Sequence, residues 1–309
     1  MEEVKHPYLQ LHIAVFLFGF TAILGKYISL DQYNLVWQRM WIAGIAYFFV
    51  PGVLRSFRKL SKVDFLRFAL IGVLVAIHWV TFYGSIKIGD SASLTLACFG
   101  TITLFTAILE PIMTKSNFKK KEFGISLLVL LGLYFVYLAK PKDETASNFN
   151  LAIVWGILSS FIAAVFSVLN KKWIPGKNTM TVSSVQLISG FLFLSALLPL
   201  LDLLIPSFYS MSNFQLIPSG ADIISLLVLS ILCTTLAFVF ELNALKHVSA
   251  FVANLVINLE PVYGIIMAAV FFSEHKMLNI YFYIGATIIM LSVFLHPILG
   301  RFNNRRVAI

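Results

Sequence analysis

The chain has 309 residues, of which 59% are hydrophobic and only 12% are charged, and its mean hydropathy is +0.89. Soluble domains carry about a quarter charged residues, so this composition excludes an ordinary soluble protein and indicates a membrane protein. The net charge of +9 resides in short Lys and Arg clusters between apolar segments. Such clusters are typical of membrane loops and do not predict a nucleic-acid-binding surface.

Ten apolar segments follow one another along the chain, each close to the 20 or so residues that cross a bilayer as a helix. They cover residues 9–29, 33–54, 65–86, 89–113, 123–139, 150–170, 181–205, 222–245, 248–272 and 278–298. Very short turns join the third segment to the fourth and the eighth to the ninth, which predicts two tight antiparallel hairpins. The expected fold is therefore an all-α membrane protein with ten transmembrane helices.

The distribution of Lys and Arg predicts the orientation of these helices. With the N-terminus inside, seventeen of these residues fall in inner loops and ends, and five fall in outer ones. Inner loops of membrane proteins are enriched in Lys and Arg, so both termini are predicted to be cytoplasmic. Residues 301–309 then form a basic cytoplasmic tail, and the expected location is the inner (plasma) membrane.

A hydrophilic break at residues 141–149 divides the chain into two halves, 1–140 and 150–300, with five segments each. Because five is odd, a second half built like the first would lie inverted in the membrane. The hairpin sequences 85–96 and 244–255 resemble each other, which supports a repeat. Inverted repeats are a common transporter plan, with the substrate site near the middle of the membrane between the halves.

The second half resembles a known family over residues 243–290. It carries an Ala-Leu-Lys entry to the hairpin, the tripeptide Leu259-Glu260-Pro261, an outer Glu274 and Gly285. In the first half, Gly19 and the sequence QRMWIAG at 38–44 also match. These features are similar to the EamA-type members of the drug/metabolite transporter superfamily. The resemblance implies two inverted five-helix repeats that export or exchange small metabolites.

Glu260 is the only acid or base in the apolar run 249–272, and Pro261 follows it directly. A charge near the bilayer centre costs several kcal/mol, about 3 on insertion scales, so such residues usually face a cavity and have a function. Pro261 is expected to kink the ninth helix, since proline removes a backbone hydrogen bond. Glu260 is the leading candidate for substrate binding or proton coupling.

The first half has its own Leu109-Glu110-Pro111, but this motif is not equivalent to Leu259-Glu260-Pro261. Counted from the shared Ser-Ala at 91 and 249, the two prolines differ by eight positions, and Thr103 takes the place of Pro261. Any coupling role of Glu260 therefore cannot be transferred to Glu110 by symmetry.

Other intramembrane polar and aromatic residues are further candidates for substrate binding or coupling. They are Arg39, His78, Trp79, Tyr263, Glu241, Glu110, Thr103 and Asn258. Each also has a structural explanation, such as a snorkelling arginine, a hydrogen-bonded buried histidine or a surface ion pair for Glu241. On a continuous ninth helix, Tyr263 would share a face with Glu260, whereas Asn254 and Asn258 would point well away from it.

The sequence favours a secondary transporter, either an exporter of amino acids or related small metabolites, with possible proton coupling, or an exporter of cationic hydrophobic drugs. A non-transporting membrane scaffold or redox subunit is the alternative from another class. No enzyme, nucleotide-binding or cofactor motif is present, and Cys98 and Cys233 lack the spacing of a metal site. The expected partners are a small-molecule substrate, protons and lipid, in a monomer or homodimer.

Overall fold

The computed structural model describes residues 6–138, 148–206, 209–271 and 279–306, and these ranges contain helices and no β-strand. The helices of the first half are α1 (Pro7–Tyr27), α2 (Gln32–Ala46), α3 (Val53–Phe57), α4 (Lys62–Gly89), α5 (Ala92–Phe99), α6 (Ile102–Thr114) and α7 (Lys120–Leu138). Those of the second half are α8 (Phe149–Trp173), α9 (Thr179–Leu204), α10 (Gly220–Ser230), α11 (Ala237–Leu245), α12 (Ala250–Ile257), α13 (Glu260–Phe271) and α14 (Ile280–Arg306).

Six stretches of helix in the described residues are long and apolar enough to cross a membrane. They are Pro7–Tyr27, Lys62–Gly89, Ala92–Thr114, Phe149–Trp173, Thr179–Leu204 and Gly220–Leu245. They correspond to the first, third, fourth, sixth, seventh and eighth segments expected from the sequence. The predicted linker lies almost wholly outside the described residues, as does Glu274, and α14 continues as far as Arg306 into the predicted tail.

The fourth and ninth segments are interrupted helices, not the continuous ones that the sequence suggested. In each, a serine side chain caps the first turn: the Ser91 hydroxyl accepts from the Leu94 N–H, and the Ser249 hydroxyl accepts from the Val252 N–H. Each of these helices ends after eight residues. The second half-helix begins at Ile102 in one case and at Glu260 in the other. The two interruptions are equivalent in register, as the sequence offset of Thr103 and Pro261 predicted.

Local chemistry explains where the ninth segment breaks. Pro261 is the second residue of α13, where its missing N–H removes no helical hydrogen bond, and proline disfavours helical geometry in the residue before it. The proline thus begins a new helix and does not kink a continuous one. In the fourth segment the break falls after Gly100, and the Thr101 hydroxyl donates to the Cys98 carbonyl at 2.8 Å.

A one-turn π-helix at Ile231–Leu236 connects α10 to α11. The hydroxyls of Thr234 and Thr235 donate to carbonyls five residues earlier, at 2.8 and 3.0 Å. The Tyr47 hydroxyl donates to the Thr235 carbonyl at 2.6 Å. Such π-turns loosen the regular ladder of hydrogen bonds and are frequent at functional sites. The carbonyls of this π-turn accept from Tyr47, directly after α2, and from Arg39 within α2.

The two halves pack against each other reciprocally. Helix α1 contacts α11 and the interrupted pair α12–α13, while α8 contacts α4 and the interrupted pair α5–α6. Glycines permit both close approaches: a Cβ at Gly19 would lie 2.9 Å from the Tyr263 Cβ, and one at Gly156 would lie 2.8 Å from the Cys98 Cβ. Each interrupted helix is therefore held by the first helix of the other half.

The ends of α4 define two faces of the molecule. The face at the start of α4 is called the first face. Here Asp64 pairs with Lys177 from the α8–α9 loop, and Lys246 donates to the Lys177 carbonyl. At the other end of α4, the second face, Lys87 donates to the Ile28 carbonyl at the end of α1. At about 1.5 Å per residue, the 28 residues of α4 separate these faces by about 42 Å.

Candidate functional site

A small cavity of about 50 Å³ lies between α1, α2, α4, α8, α11 and the two interrupted helices. Aromatic rings and ionisable side chains dominate its lining, which consists of Phe18, Thr21, Arg39, His78, Trp79, Phe82, Phe99, Ile102, Ala163, Phe166, Glu241, Asn254, Ile257 and Glu260. Five of the nine predicted binding or coupling residues are brought together here: Arg39, His78, Trp79, Glu241 and Glu260.

Glu260 is buried at the first residue of α13, with 4% of its surface exposed. Its Oε1 lies 3.3 Å from the Thr21 Oγ1 of α1. The same Thr21 hydroxyl donates to the Phe18 carbonyl at 2.7 Å. A hydroxyl has one proton, so Thr21 donates either to the Phe18 carbonyl or to the Glu260 carboxylate, and in the first arrangement a protonated Glu260 can donate to the Thr21 oxygen.

Glu241 is the second carboxylate of the cavity, and its side chain is also buried. Among the described residues, neither Glu241 nor Glu260 forms an ion pair with a Lys, Arg or His side chain. A buried charge without a partner is strongly unfavourable, so these two carboxylates are the groups in the site most dependent on a proton or a bound cation.

Arg39 is 2% exposed and supplies the positive charge of the cavity. Its Nε donates to Thr234 Oγ1 at 2.7 Å, one terminal nitrogen donates to the Tyr83 hydroxyl at 2.6 Å, and the other donates to the Cys233 carbonyl at 3.3 Å. The guanidinium carbon lies 3.7 Å above the centre of a Trp79 ring. Arg39 thus joins α2 to α4 and to the π-turn.

The Arg39 guanidinium is not fully occupied by these contacts. It has five N–H groups, of which three donate to protein acceptors among the described residues. One N–H on each terminal nitrogen is left. Two such groups can donate to the two oxygens of a carboxylate, because guanidinium and carboxylate geometries match.

His78 is held by the α8 residue Ser159. The Ser159 hydroxyl donates to the His78 carbonyl at 3.2 Å, and the His78 Nδ1 lies 2.9 Å from the Ser159 carbonyl. Nδ1 also lies 2.8 Å from the Ser159 hydroxyl. When Nδ1 carries the ring proton it donates to the Ser159 carbonyl, and a neutral His78 then keeps Nε2 as an acceptor. The ring stands against Phe99 and Phe166, with centroids 5.6 and 5.4 Å away.

The other four predicted binding or coupling residues lie outside the cavity lining. The Glu110 oxygens accept from the Ala250 and Phe251 amides at 3.0 and 2.8 Å, so this carboxylate caps the start of α12. The Tyr263 ring packs edge-to-face on Phe16, with centroids 5.7 Å apart. These contacts hold helices together, and a binding or coupling role for Glu110 or Tyr263 stays a prediction.

Asn258 and Thr103 connect the two helix interruptions. The Asn258 Nδ2 donates to the Gly100 carbonyl and to Thr103 Oγ1, both at 3.3 Å. Thr103 also donates to the Gly100 carbonyl at 3.3 Å. The breaks in the fourth and ninth segments therefore touch, and polar side chains satisfy the carbonyl exposed at the first of them.

The expected separation of Asn254 from Glu260 is wrong, because it assumed a continuous helix. The break after Ile257 ends the helical register, and both residues line the same cavity. Asn254 donates to Thr106 Oγ1 at 2.7 Å and accepts from the Ser167 hydroxyl at 3.1 Å. Sequence reasoning also missed Thr21 and Tyr83, which are ordinary residues of apolar helices until the fold brings them to Glu260 and Arg39.

The described residues contain no group of three or more His, Cys, Asp or Glu side chains that could hold a metal ion. The chemistry available at the cavity is therefore that of two carboxylates, one guanidinium, one imidazole and an aromatic wall. These groups can bind charged organic molecules and exchange protons.

The sequence pattern of the EamA-like transporter family matches the chain twice, over residues 7–138 and 150–296. The chain belongs to the EamA-like transporter family. The two EamA matches coincide with the two halves that pack reciprocally around the cavity. As an EamA-like protein the chain is a multi-pass membrane transporter, which disfavours the non-transporting scaffold or redox subunit.

One solved structure similar to this EamA-like chain is described only as the crystal structure of a protein. The alignment covers 97% of this chain and 99% of the other, with a TM-score of 0.70 and 15% sequence identity. At that identity the likeness shows the fold alone. No match was found among curated proteins.

Proposed function

We propose that this EamA-like transporter exports small amphoteric metabolites such as amino acids and couples their movement to protons. The observation that carries the proposal is the composition of the central cavity. One guanidinium with two N–H groups left lies in the same small space as two carboxylates without an ion pair. An amino acid carries one charge that fits each kind of group.

Glu260 is the proposed proton carrier. Its contact with Thr21 suits a protonated carboxyl when the Thr21 hydroxyl donates to Phe18, the shorter of its two contacts. Loss of that proton would leave a carboxylate at a buried position without an ion pair in the described residues. A substrate ammonium could then replace the proton, which links substrate binding to proton release.

Arg39 is the proposed site for the substrate carboxylate. Its position over the Trp79 ring and its three protein hydrogen bonds fix the orientation of the guanidinium. A preorganised guanidinium loses little side-chain entropy when it binds a carboxylate. His78 would contribute an acceptor to the same wall when neutral.

The cavity is too small to hold an amino acid in this conformation. Its 50 Å³ is enough for about four water molecules at about 12 Å³ of probe volume each, whereas ligand pockets usually have several hundred Å³. This conformation therefore suits an empty, closed stage of a transport cycle. Substrate entry requires one end of the surrounding helices to separate.

The proposal includes ten membrane-spanning segments in two inverted repeats of a protein of the cell membrane. Both termini and the first face lie on the cytoplasmic side. The matched interruptions and the reciprocal packing support the repeats. The Lys and Arg residues of the first face, among them Lys171, Lys177 and Lys246, support the orientation. Export is proposed because the family resemblance implies it.

A second candidate is the export of cationic hydrophobic compounds. The five aromatic residues of the cavity and its two carboxylates favour it, since aromatic faces and carboxylates both attract organic cations. Under this alternative Arg39 would serve only as a structural link between helices. The two candidates therefore make opposite predictions for substrates that bear a carboxylate.

Flux measurements in proteoliposomes test the proposal. A panel containing an acidic, a neutral and a basic amino acid and a quaternary ammonium compound would be measured with and without a pH gradient. Gradient-dependent flux of the carboxylate-bearing compounds would support the amino-acid proposal. Flux of the quaternary ammonium compound alone would favour the second candidate, and no flux of any compound would contradict both.

A further inference from the structure

We infer that two aspartates, Asp64 and Asp222, close the transport path at its opposite ends. This inference rests on the proposed transport function. Asp64 with Lys177 is called the first gate, and Asp222 with Ser29 is called the second gate. Each gate joins the start of a long helix in one repeat to a loop in the other repeat.

The first gate is an ion pair at the start of α4. Lys177 donates to the Asp64 carboxylate, and these residues come from different halves of the chain. The Ser61 hydroxyl also donates to Asp64, at 2.8 Å, and fixes the rotamer of its side chain. Because Lys177 lies in the loop before α9, this pair ties α4 to the second repeat.

The second gate is a set of hydrogen bonds at the start of α10. Asp222 is 3% exposed and accepts from the Ser29 backbone N–H at 3.0 Å and from the Ser29 hydroxyl. The Ser219 hydroxyl donates to the same carboxylate at 3.0 Å. Because Ser29 lies in the loop before α2, this contact ties α10 to the first repeat.

The two gates occupy equivalent positions in the repeats. Each aspartate lies three residues after a serine at the helix N-cap, Ser61 or Ser219, and each serine bonds to its aspartate. Asp222 follows Asp64 by 158 residues, the same offset that separates the capping serines Ser249 and Ser91 of the interrupted helices. The gates therefore belong to the same repeat alignment as the helix breaks.

The gates lie on opposite faces, with the cavity between them. Ser29 directly follows Ile28, which accepts from Lys87 at the far end of α4 from Asp64. Both gates are closed in this conformation, in agreement with the small volume of the cavity. Access to the cavity from one face requires the gate on that face to separate while the other gate stays closed.

The gates differ in chemistry. The first depends on a lysine of the partner loop, whereas the second binds its aspartate through a backbone N–H and hydroxyls. Loss of a charge-assisted hydrogen bond changes an equilibrium by about tenfold or more. Neutralising one aspartate is therefore expected to raise the population open to its own face by about tenfold and to leave the other face unchanged.

Thiol accessibility tests this inference without any substrate. Ile257→Cys, in a background of Cys98→Ala and Cys233→Ala, places one reactive thiol in the cavity lining. A membrane-impermeant methanethiosulfonate is applied to each face of vesicles of known sidedness. Asp64→Asn should raise the labelling rate about tenfold from the first face only, and Asp222→Asn about tenfold from the second face only.

Two matched controls disrupt ion pairs within one repeat. Arg67→Gln removes the contact of Arg67 with Asp64 on the same helix, and Lys26→Gln removes the pair of Lys26 with Asp90 on the second face. Neither should change labelling. Lys177→Gln opens the first gate without altering Asp64 and should reproduce Asp64→Asn, which keeps the test valid if that variant does not fold.

The gate inference is overturned if labelling stays the same in Asp64→Asn, Lys177→Gln and Asp222→Asn, or rises from the same face in all three. This readout is independent of the flux panel. Face-specific labelling without flux of any compound would support the gates and contradict the proposed transport activity. Gradient-dependent flux with unchanged labelling would do the reverse.

Discussion

The two interrupted helices share one backbone plan and differ in chemistry. In both, a serine cap is followed by eight helical residues, a two-residue break and a second half-helix. The first residue after the break lines the cavity in both, but it is Ile102 in one and Glu260 in the other. A duplicated backbone thus presents an apolar and an ionisable side chain at the same place in the site.

In the second long helix of each half, α2 and α9, it is the first half that places an ionisable side chain in the cavity. Arg39 and Gln186 each lie eight residues after the helix N-caps, Asp31 and Asn178. Arg39 reaches the cavity, whereas Gln186 donates to Asn170 Oδ1 at 2.7 Å and has no place in the lining. The first half therefore supplies the cation of the cavity and the second half supplies the acids. The repeat determines where a side chain lies, and the residue at each position determines whether it is charged.

Of the variants that test this difference between the halves, Glu260→Gln should have the largest effect on transport. It removes the proposed proton carrier and makes both break positions non-ionisable, so flux driven by a pH gradient should fall to that of empty vesicles. Proteoliposome flux and size-exclusion chromatography would show loss of coupling in a folded protein. Ile102→Val, the matched change in the first half, should keep the coupling. A Glu260→Gln protein with the wild-type pH profile would contradict the coupling role.

Arg39→Gln tests the cation from the first half. It should weaken transport of carboxylate-bearing substrates more than that of neutral or cationic ones. It should also lower the free energy of unfolding by about 2–6 kcal/mol, because the Tyr83 hydroxyl and the Cys233 carbonyl lose their partner at about 1–3 kcal/mol each. Substrate competition and unfolding in detergent measure the two effects, and equal loss for all substrates would indicate a purely structural arginine.

Asn258→Ala tests the joint between the two interruptions. Its side chain donates to Gly100 and Thr103, so the variant should lose about 1.5 kcal/mol of stability. Because Asn258 lies outside the cavity lining, the order of substrate preference should not change. Asn254→Ala is the matched comparison, since Asn254 lines the cavity and its removal should alter substrate affinity. Altered selectivity in Asn258→Ala would place this residue in the binding site.

Glu110→Gln should have the smallest effect and separates the two Leu-Glu-Pro motifs. The variant keeps one acceptor oxygen for the α12 amides, so stability should fall by about 1 kcal/mol. Flux should keep its dependence on the pH gradient. Thermal unfolding and gradient-driven flux provide the measurements, and loss of coupling here would show that Glu110 and Glu260 act together.

Much of the candidate site could be predicted from single residues. Trp79 is predicted as a deep aromatic residue that can stack on a substrate, and Glu241 as an acid near the end of its segment. Glu260, Arg39 and His78 can be identified because polar groups inside apolar segments are costly and usually have a function. Glu110 and Asn258 looked similar by that criterion, yet the fold uses them to cap α12 and to join two helix breaks. Whether a buried polar group meets a cavity or a backbone amide depends on contacts between distant segments.

By itself the sequence determined the helical membrane class, the two halves and the register between them, because these follow from apolar length and spacing along one segment. The tertiary structure alone decided the helix breaks, the shared cavity of Asn254 and Glu260, and the contact between Thr21 and Glu260. The reason is physical: helical angles extrapolate only along an unbroken ladder of hydrogen bonds, and the partners of the buried groups come from other helices, 44 residues away for Arg39 and Tyr83 and 239 for Thr21 and Glu260.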